Sequence, residues 1–380
     1  GLRSHRWLCA HQRRLHHLKF NPMTKLQTSE FRHATNLLRG FSALSILVWH
    51  YQHFFYVGTQ RPADWDPSIQ PLWSFFKPAY LYGEFAVQIF WCISGLILAH
   101  AYINQSKTGL AKFGLARFSR LYPLHLLTLV VVAIIQFSSK QWFDTFQIYS
   151  QNDISHFFKN LFFIQAWGPL GDGFSFNTPT WSVSVEIVVY FIFFALLRIL
   201  HKTKIFFSFA LVLLMRVLIN VYPTLSDQVF FYECLMYFLT GVSVYFVIVL
   251  PKPVFRIPLL LGLIALIPFI IPDFRNKNIS LVVITFVCTA AYLDTFPLAN
   301  RLQRVRIVGE LTYSVFLWHA PLQMIILMVM MQFDISHSIA QSPLFLLFFL
   351  VLTYSVGYAS YRWIEQPARK YINNRFMPAR

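Results

Sequence analysis

Residues 37–56 read LLRGFSALSILVWHYQHFFY. One charge, Arg39, stands near the start, and no acidic residue interrupts the run. At about 1.5 Å per residue such a helix crosses a hydrocarbon core of about 30 Å. The same criteria, length and lack of charge, pick out nine further spans at 84–103, 121–137, 180–200, 205–221, 229–249, 257–272, 279–297, 307–331 and 343–364. The composition agrees. Of 380 residues, 56% are hydrophobic and only 12% charged, with 41 Phe, 18 Tyr and 10 Trp. A soluble domain carries about 25% charged residues. The expected fold is therefore an all-α integral membrane protein of about ten transmembrane helices. The apolar stretch 157–167 is too short to cross and is expected to be a short re-entrant or interfacial segment.

The formal net charge of +17 has a topological reading. With the N-terminus inside and ten spans, 25 of the 32 Lys and Arg fall on the cytoplasmic side and six outside. Positive residues concentrate in cytoplasmic loops, so both termini are expected in the cytoplasm. Anionic lipid or an anionic cytosolic ligand are secondary readings of the same charge. Cys92, Cys234 and Cys288 lie in apolar stretches, where a thiol behaves as a small hydrophobe. No zinc spacing occurs, and no metal site is expected. There is no P-loop and no dinucleotide fingerprint, which argues against a nucleotide-driven pump, and no nucleic-acid partner is expected.

Residues 1–22 contain no acidic residue and read as a non-native or disordered leader, and 23–36 as a cytoplasmic N-terminal segment. Residues 37–370 form one membrane domain, and 371–380 a cytoplasmic tail.

Ionisable groups in membrane spans are costly and so mark function. Arg39 and His50 are 11 residues apart, which puts them on one helix face about 16 Å apart. The plainer reading is a snorkelling arginine and a structural histidine. Glu186 lies in TWSVSVE (180–186), about five residues into its helix, at a depth similar to that of His50 but reached from the other side. The two could meet, the carboxylate then fixing the imidazole tautomer. An interhelical hydrogen bond is the plainer role for Glu186, with Ser182 and Ser184 holding it or simply packing helices. In RFSRLYP (117–123), Arg117 and Arg120 share a helix face, and Pro123 suits a first helical turn. Two guanidinium groups beside a helix N-terminus suit a phosphate; membrane anchoring is the alternative. Ser94-Gly95 lets another backbone or a slim ligand come close. Tyr313 and His319 lie in a span, with His319 near the His50 layer. Glu365 sits among basic residues as a structural ion pair.

Together these segments resemble acyltransferase family 3, multi-pass membrane acyltransferases that modify polysaccharides, peptidoglycan, lipid-linked sugars and some macrolides. The resemblance covers residues 37–370. It rests on Arg39 with His50, on Phe90 to Leu96, on Arg117, Arg120 and Pro123, on Trp181 to Glu186, on Thr312-Tyr313 through His319 and Pro321, and on Glu365, Pro367 and Arg369. Gln88 stands where many members have an acidic residue, and Phe316 where tyrosine is usual. The expected form is stand-alone, without an SGNH hydrolase-like domain, acting by itself or with a partner acyl acceptor protein.

The resemblance implies an O-acyltransferase of the bacterial cytoplasmic (inner) membrane. Acyl-CoA, in the first place acetyl-CoA, would be the co-substrate, with Arg117 and Arg120 at its phosphates and Arg39 near its pantetheine path. His50 would act as general base or transient acyl carrier, oriented by Glu186, with Trp181, Ser184, Ser94, Tyr313 and His319 supporting. A carbohydrate or other hydroxyl-bearing acceptor would enter from the outer side. The rival from another class is a multi-pass transporter or flippase of a glycan precursor, with His50 and Glu186 as a proton relay.

Overall fold

A computed structural model describes residues 33–105, 108–168, 174–221, 229–270, 278–297 and 306–376. The leader 1–22 and most of the 23–36 segment lie outside the described residues. The described chain is helical; its only β pairings are two isolated bridges, Val57 with Gln60 and Gln151 with Ser175. The helices are α1 (His33–His50), α2 (Trp73–Tyr82), α3 (Ala86–Tyr102), α4 (Leu110–Phe143), α5 (Ile154–Leu161), α6 (Trp181–Val221), α7 (Val229–Ile248), α8 (Arg256–Ile270), α9 (Ile279–Leu293), α10 (Arg306–Glu310), α11 (Thr312–Gln332), α12 (Pro343–Ser360) and α13 (Gln366–Phe376). A 3₁₀ segment, Tyr51–Phe55, follows α1, and a π segment, Tyr361–Glu365, joins α12 to α13.

Six helical segments are long and apolar enough to cross a membrane: Trp73–Tyr102, Leu110–Phe143, Thr178–Leu197, Phe230–Ile248, Thr312–Gln332 and Pro343–Phe376. Two shorter apolar helices, Pro253–Leu266 and Ile279–Leu293, accompany them. Three expectations change. The stretch 37–56 is α-helical only to His50 and is not among these six segments. The spans placed at 180–200 and 205–221 run as the single helix α6, because Lys202 and Lys204 are good helix formers and no Gly or Pro interrupts the stretch. Helix α4 starts at Leu110 and not near residue 121, so Pro123 sits inside it. There the ring removes one ladder bond, the one to the Ser119 carbonyl. Arg117 and Arg120 thus lie inside α4 and away from its own N-terminus.

Close packing is built from small residues. Helices α3 and α7 cross where Gly95 faces the Phe238 carbonyl and Gly241 faces the Cys92 carbonyl. A Cβ at either glycine would overlap the opposing backbone, so the crossing exists because neither residue has one. The Gly95 notch admits a backbone, one of the two uses expected for it. The start of α1 is fixed in trans. Asp294, after α9, accepts the N–H groups of His33, Ala34 and Thr35 at 3.0, 2.7 and 3.1 Å and the Thr35 hydroxyl at 2.9 Å. Those amides have no partner within their own helix, and a cap of this kind contributes about 1 kcal/mol. Within 157–167, residues up to Leu161 belong to α5 and turns follow. Asp153 caps α5 by accepting the His156 N–H, which holds the Asp153 carboxyl below the usual carboxylate range.

Candidate active site

One helix, α1, carries both Arg39 and His50. Its continuity preserves the 11-residue spacing as a separation of about 16 Å along the axis. The two residues lead to two different polar regions.

Arg39 enters a cavity that it lines with Ser94, Arg117, Arg120, Glu186, Tyr190, Thr312 and Tyr313. The Arg39 guanidinium donates to Thr312 Oγ1 at 2.9 Å and to Asn36 Oδ1 at 3.4 Å. Arg117 lies with its guanidinium carbon 6.0 Å from the Tyr190 ring centroid, and its buried Nε has no partner. A buried guanidinium N–H without an acceptor is costly and points to an acceptor from outside the chain. Glu186 is buried, within hydrogen-bond reach of the Ser94 and Tyr190 hydroxyls, while its Oε1 has no partner. Tyr313 donates its hydroxyl to the Leu121 carbonyl at 2.6 Å, tying α11 to α4 one residue past Arg120. Glu365 accepts from Ser314 at 2.6 Å, with Arg120, Arg369 and Arg39 within electrostatic reach. Its direct partner is thus a hydroxyl.

His50 closes α1 and faces a layer of imidazoles. Its ring centroid lies 4.7 Å from that of His319 and 5.2 Å from that of His53, with Trp49 edge-on at 4.6 Å. Nδ1 lies 2.9 Å from the Ile46 carbonyl. A carbonyl only accepts, so Nδ1 carries the proton and Nε2 the lone pair. His319, fully buried, repeats the arrangement. Its Nδ1 donates to the Phe316 carbonyl, and its Nε2 has no partner.

The expected partnership of Glu186 with His50 is not what the fold makes. The His50 ring is held by Ile46 and by neighbouring rings; Glu186 belongs to the arginine cavity. Helix α1 packs on α3, α10 and α11, and α3 in turn packs on α6. Equal depth therefore did not imply contact. The proton relay imagined for a transporter loses the same contact. Ser184 takes the packing role, one of the two expected for it. Its hydroxyl donates to the Phe163 carbonyl at 2.6 Å and its carbonyl accepts from Trp167 Nε1 at 3.1 Å, so it fastens the segment after α5 to α6. Trp181 packs against Trp91 and Phe230, with ring centroids 5.8 and 4.4 Å away. Ser94 does line the cavity. Gln88 is buried with its Oε1 unpaired.

The sequence reading passed over Asn177. Pro321 lies inside α11 and offers no N–H to the Leu317 carbonyl four residues earlier. Asn177 Nδ2 donates to that carbonyl at 3.0 Å. A proline two residues after His319 was the signal that an outside donor was required.

A profile of the acyltransferase domain matches residues 32–362. "Acyltransferase MdmB" of Streptomyces mycarofaciens is 30% identical over 169 residues, 44% of this chain and 40% of that protein. "Protein 2 in picA locus" of Rhizobium radiobacter is 35% identical over 99 residues, 25% of this chain and 41% of that protein. The matched stretches thus span about two fifths of the length of these relatives. No solved structure matches. The profile runs over both polar regions, from Arg39 and His50 on α1 to the imidazole of α11, and the chain belongs to acyltransferase family 3.

Proposed function

We propose that the protein is a membrane O-acyltransferase that moves an acyl group, acetyl in the simplest case, from acyl-CoA to a hydroxyl of a carbohydrate acceptor. The single observation that carries the reading is the geometry of α1. One straight element starts in a guanidinium-lined cavity and ends, about 16 Å on, at an imidazole with a free Nε2 lone pair. That arrangement suits a donor with an anionic end and a reactive end joined by an extended arm. Arg117, Arg120 and Arg39 hold the phosphates and the upper part of the arm by charge-assisted hydrogen bonds. The thioester then lies at the His50 layer.

His50 Nε2 accepts the proton of the acceptor hydroxyl as its oxygen bonds to the thioester carbonyl carbon. The tetrahedral adduct collapses with cleavage of the C–S bond. The departing thiolate takes the proton from His50, giving the ester, the free thiol of CoA and neutral imidazole. General-base action of this kind contributes about 10²–10⁴ in rate. The arginine side is the cytosolic one in this reading, by the asymmetry of Lys and Arg along the sequence, and the host membrane is the bacterial cytoplasmic membrane.

The test uses purified protein in detergent with radiolabelled acetyl-CoA and a sugar acceptor. Transfer that disappears in folded His50→Ala supports the reading, and unchanged transfer sinks it.

A further inference from the structure

We infer that Gln323 is the positioning residue that fixes His50 for proton transfer. The inference rests on the acyltransferase reading above.

Gln323 lies on α11, one helical turn beyond His319, so both side chains share a face. It is fully buried. Its Nε2 donates to the His50 carbonyl at 2.8 Å, and its Oε1 accepts from His53 Nδ1 at 3.3 Å. The orientation of the amide follows from its partners, since a carbonyl cannot donate and must face the NH₂ group. His53 Nδ1 then carries a proton, as in the other two imidazoles.

The place of this contact is what gives it leverage. Helix α1 ends at His50, and the chain tightens into the 3₁₀ turn Tyr51–Phe55. The His50 carbonyl stands at this change of helix type, where α-helical bonds give way to 3₁₀ bonds and one lone pair stays open to a partner outside the helix. Gln323 pins that carbonyl from the neighbouring helix. Through it, α11 grips His50 twice, by the backbone at Gln323 and by the ring at His319. The ring's own bond to Ile46 sets its tautomer; the amide of Gln323 sets where its Cα stands. An apolar side chain of equal bulk would fill the space and leave the junction free to move. Misplacement of a reacting group by about 1 Å costs about 10²-fold in rate.

The experiment compares full-length wild type with Gln323→Leu, Gln323→Met, His50→Ala and the His50→Ala/Gln323→Leu double variant, using acetyl-CoA and a sugar acceptor. Binding of acetyl-CoA is measured alongside turnover. The expected result is a kcat lower by about 10- to 100-fold in both single Gln323 variants, with acetyl-CoA affinity within about twofold. The residual rate of His50→Ala is then unchanged by adding Gln323→Leu, because the amide acts through the histidine. Turnover of folded Gln323→Met within about twofold of wild type would overturn the inference. So would equal fractional losses in the presence and absence of His50. If His50→Ala itself transfers acyl groups normally, the acyltransferase mechanism fails first, and this outcome is distinct from the other two.

Discussion

The arginine cavity and the histidine layer are both polar regions among apolar helices, yet they leave different hydrogen-bonding capacity unused. In the cavity a donor is left over beside an acceptor: Arg117 Nε is buried without an acceptor and Glu186 Oε1 without a donor, with Arg39 and Arg120 lining the same space. In the layer the surplus is acceptors: the Nδ1 atoms of His50 and His319 are spent on carbonyls, and His319 Nε2 is buried without a donor. Unused donors suit an anion, and unused acceptors suit the removal of a proton. One helix holds the two regions at a fixed separation, and in the proposed function binding and chemistry are divided between its ends.

The largest expected effect breaks the comparison at the histidine end. His50→Ala should lower turnover by about 10²–10⁴ and leave acyl-CoA affinity nearly unchanged, as read by steady-state rates beside equilibrium binding. At the other end, Arg117→Ala or Arg120→Ala should raise the apparent acyl-CoA KM by about 10- to 100-fold, the worth of one charge-assisted hydrogen bond. The kcat at saturation should fall much less, and the opposite split would move these arginines out of the binding role.

Glu186→Gln sharpens the comparison, because Glu186 was expected beside His50 and lies in the cavity. Its substitution should change acyl-CoA affinity by a few-fold through the charge facing the ligand, with kcat almost unaltered. A collapse of kcat at constant affinity would return Glu186 to the imidazole. The smallest effect is that of Tyr313→Phe. It removes the hydroxyl donated to the Leu121 carbonyl and should cost about 1 kcal/mol of stability, measured as a lowered thermal midpoint in detergent with kcat within about twofold.

These outcomes also mark where the sequence could be read and where it could not. The pairing of Arg39 with the His50 layer was legible because both lie on one helix, where spacing alone gives distance and face. The gathering of Arg39, Arg117, Arg120, Ser94 and Tyr313 around one cavity joins four helices, and the order of motifs pointed to it without giving its shape. Glu186 was misplaced because hydropathy reports depth in the membrane and says nothing about which neighbours surround a helix. Helix α4 extends further toward its N-terminus than expected because a charged, solvent-side turn can continue an apolar helix without a change of backbone. Gln323 and Asn177 went unseen for a different reason. Attention to ionisable residues passes over amides, although a buried amide in an apolar helix has the same need for partners. Pro321 was a visible sign for Asn177. Gln323 had no comparable sign beyond its polarity.

The division of labour along α1 is tested most directly by measuring acetyl-CoA binding and single-turnover acyl transfer on the same preparations of wild type, His50→Ala and Arg120→Ala. The account predicts that His50→Ala binds like wild type and does not transfer. It predicts that Arg120→Ala binds at least about tenfold more weakly and transfers at close to the normal rate once saturated. Folded variants that each lose both properties together, or a His50→Ala protein that transfers normally, would contradict it.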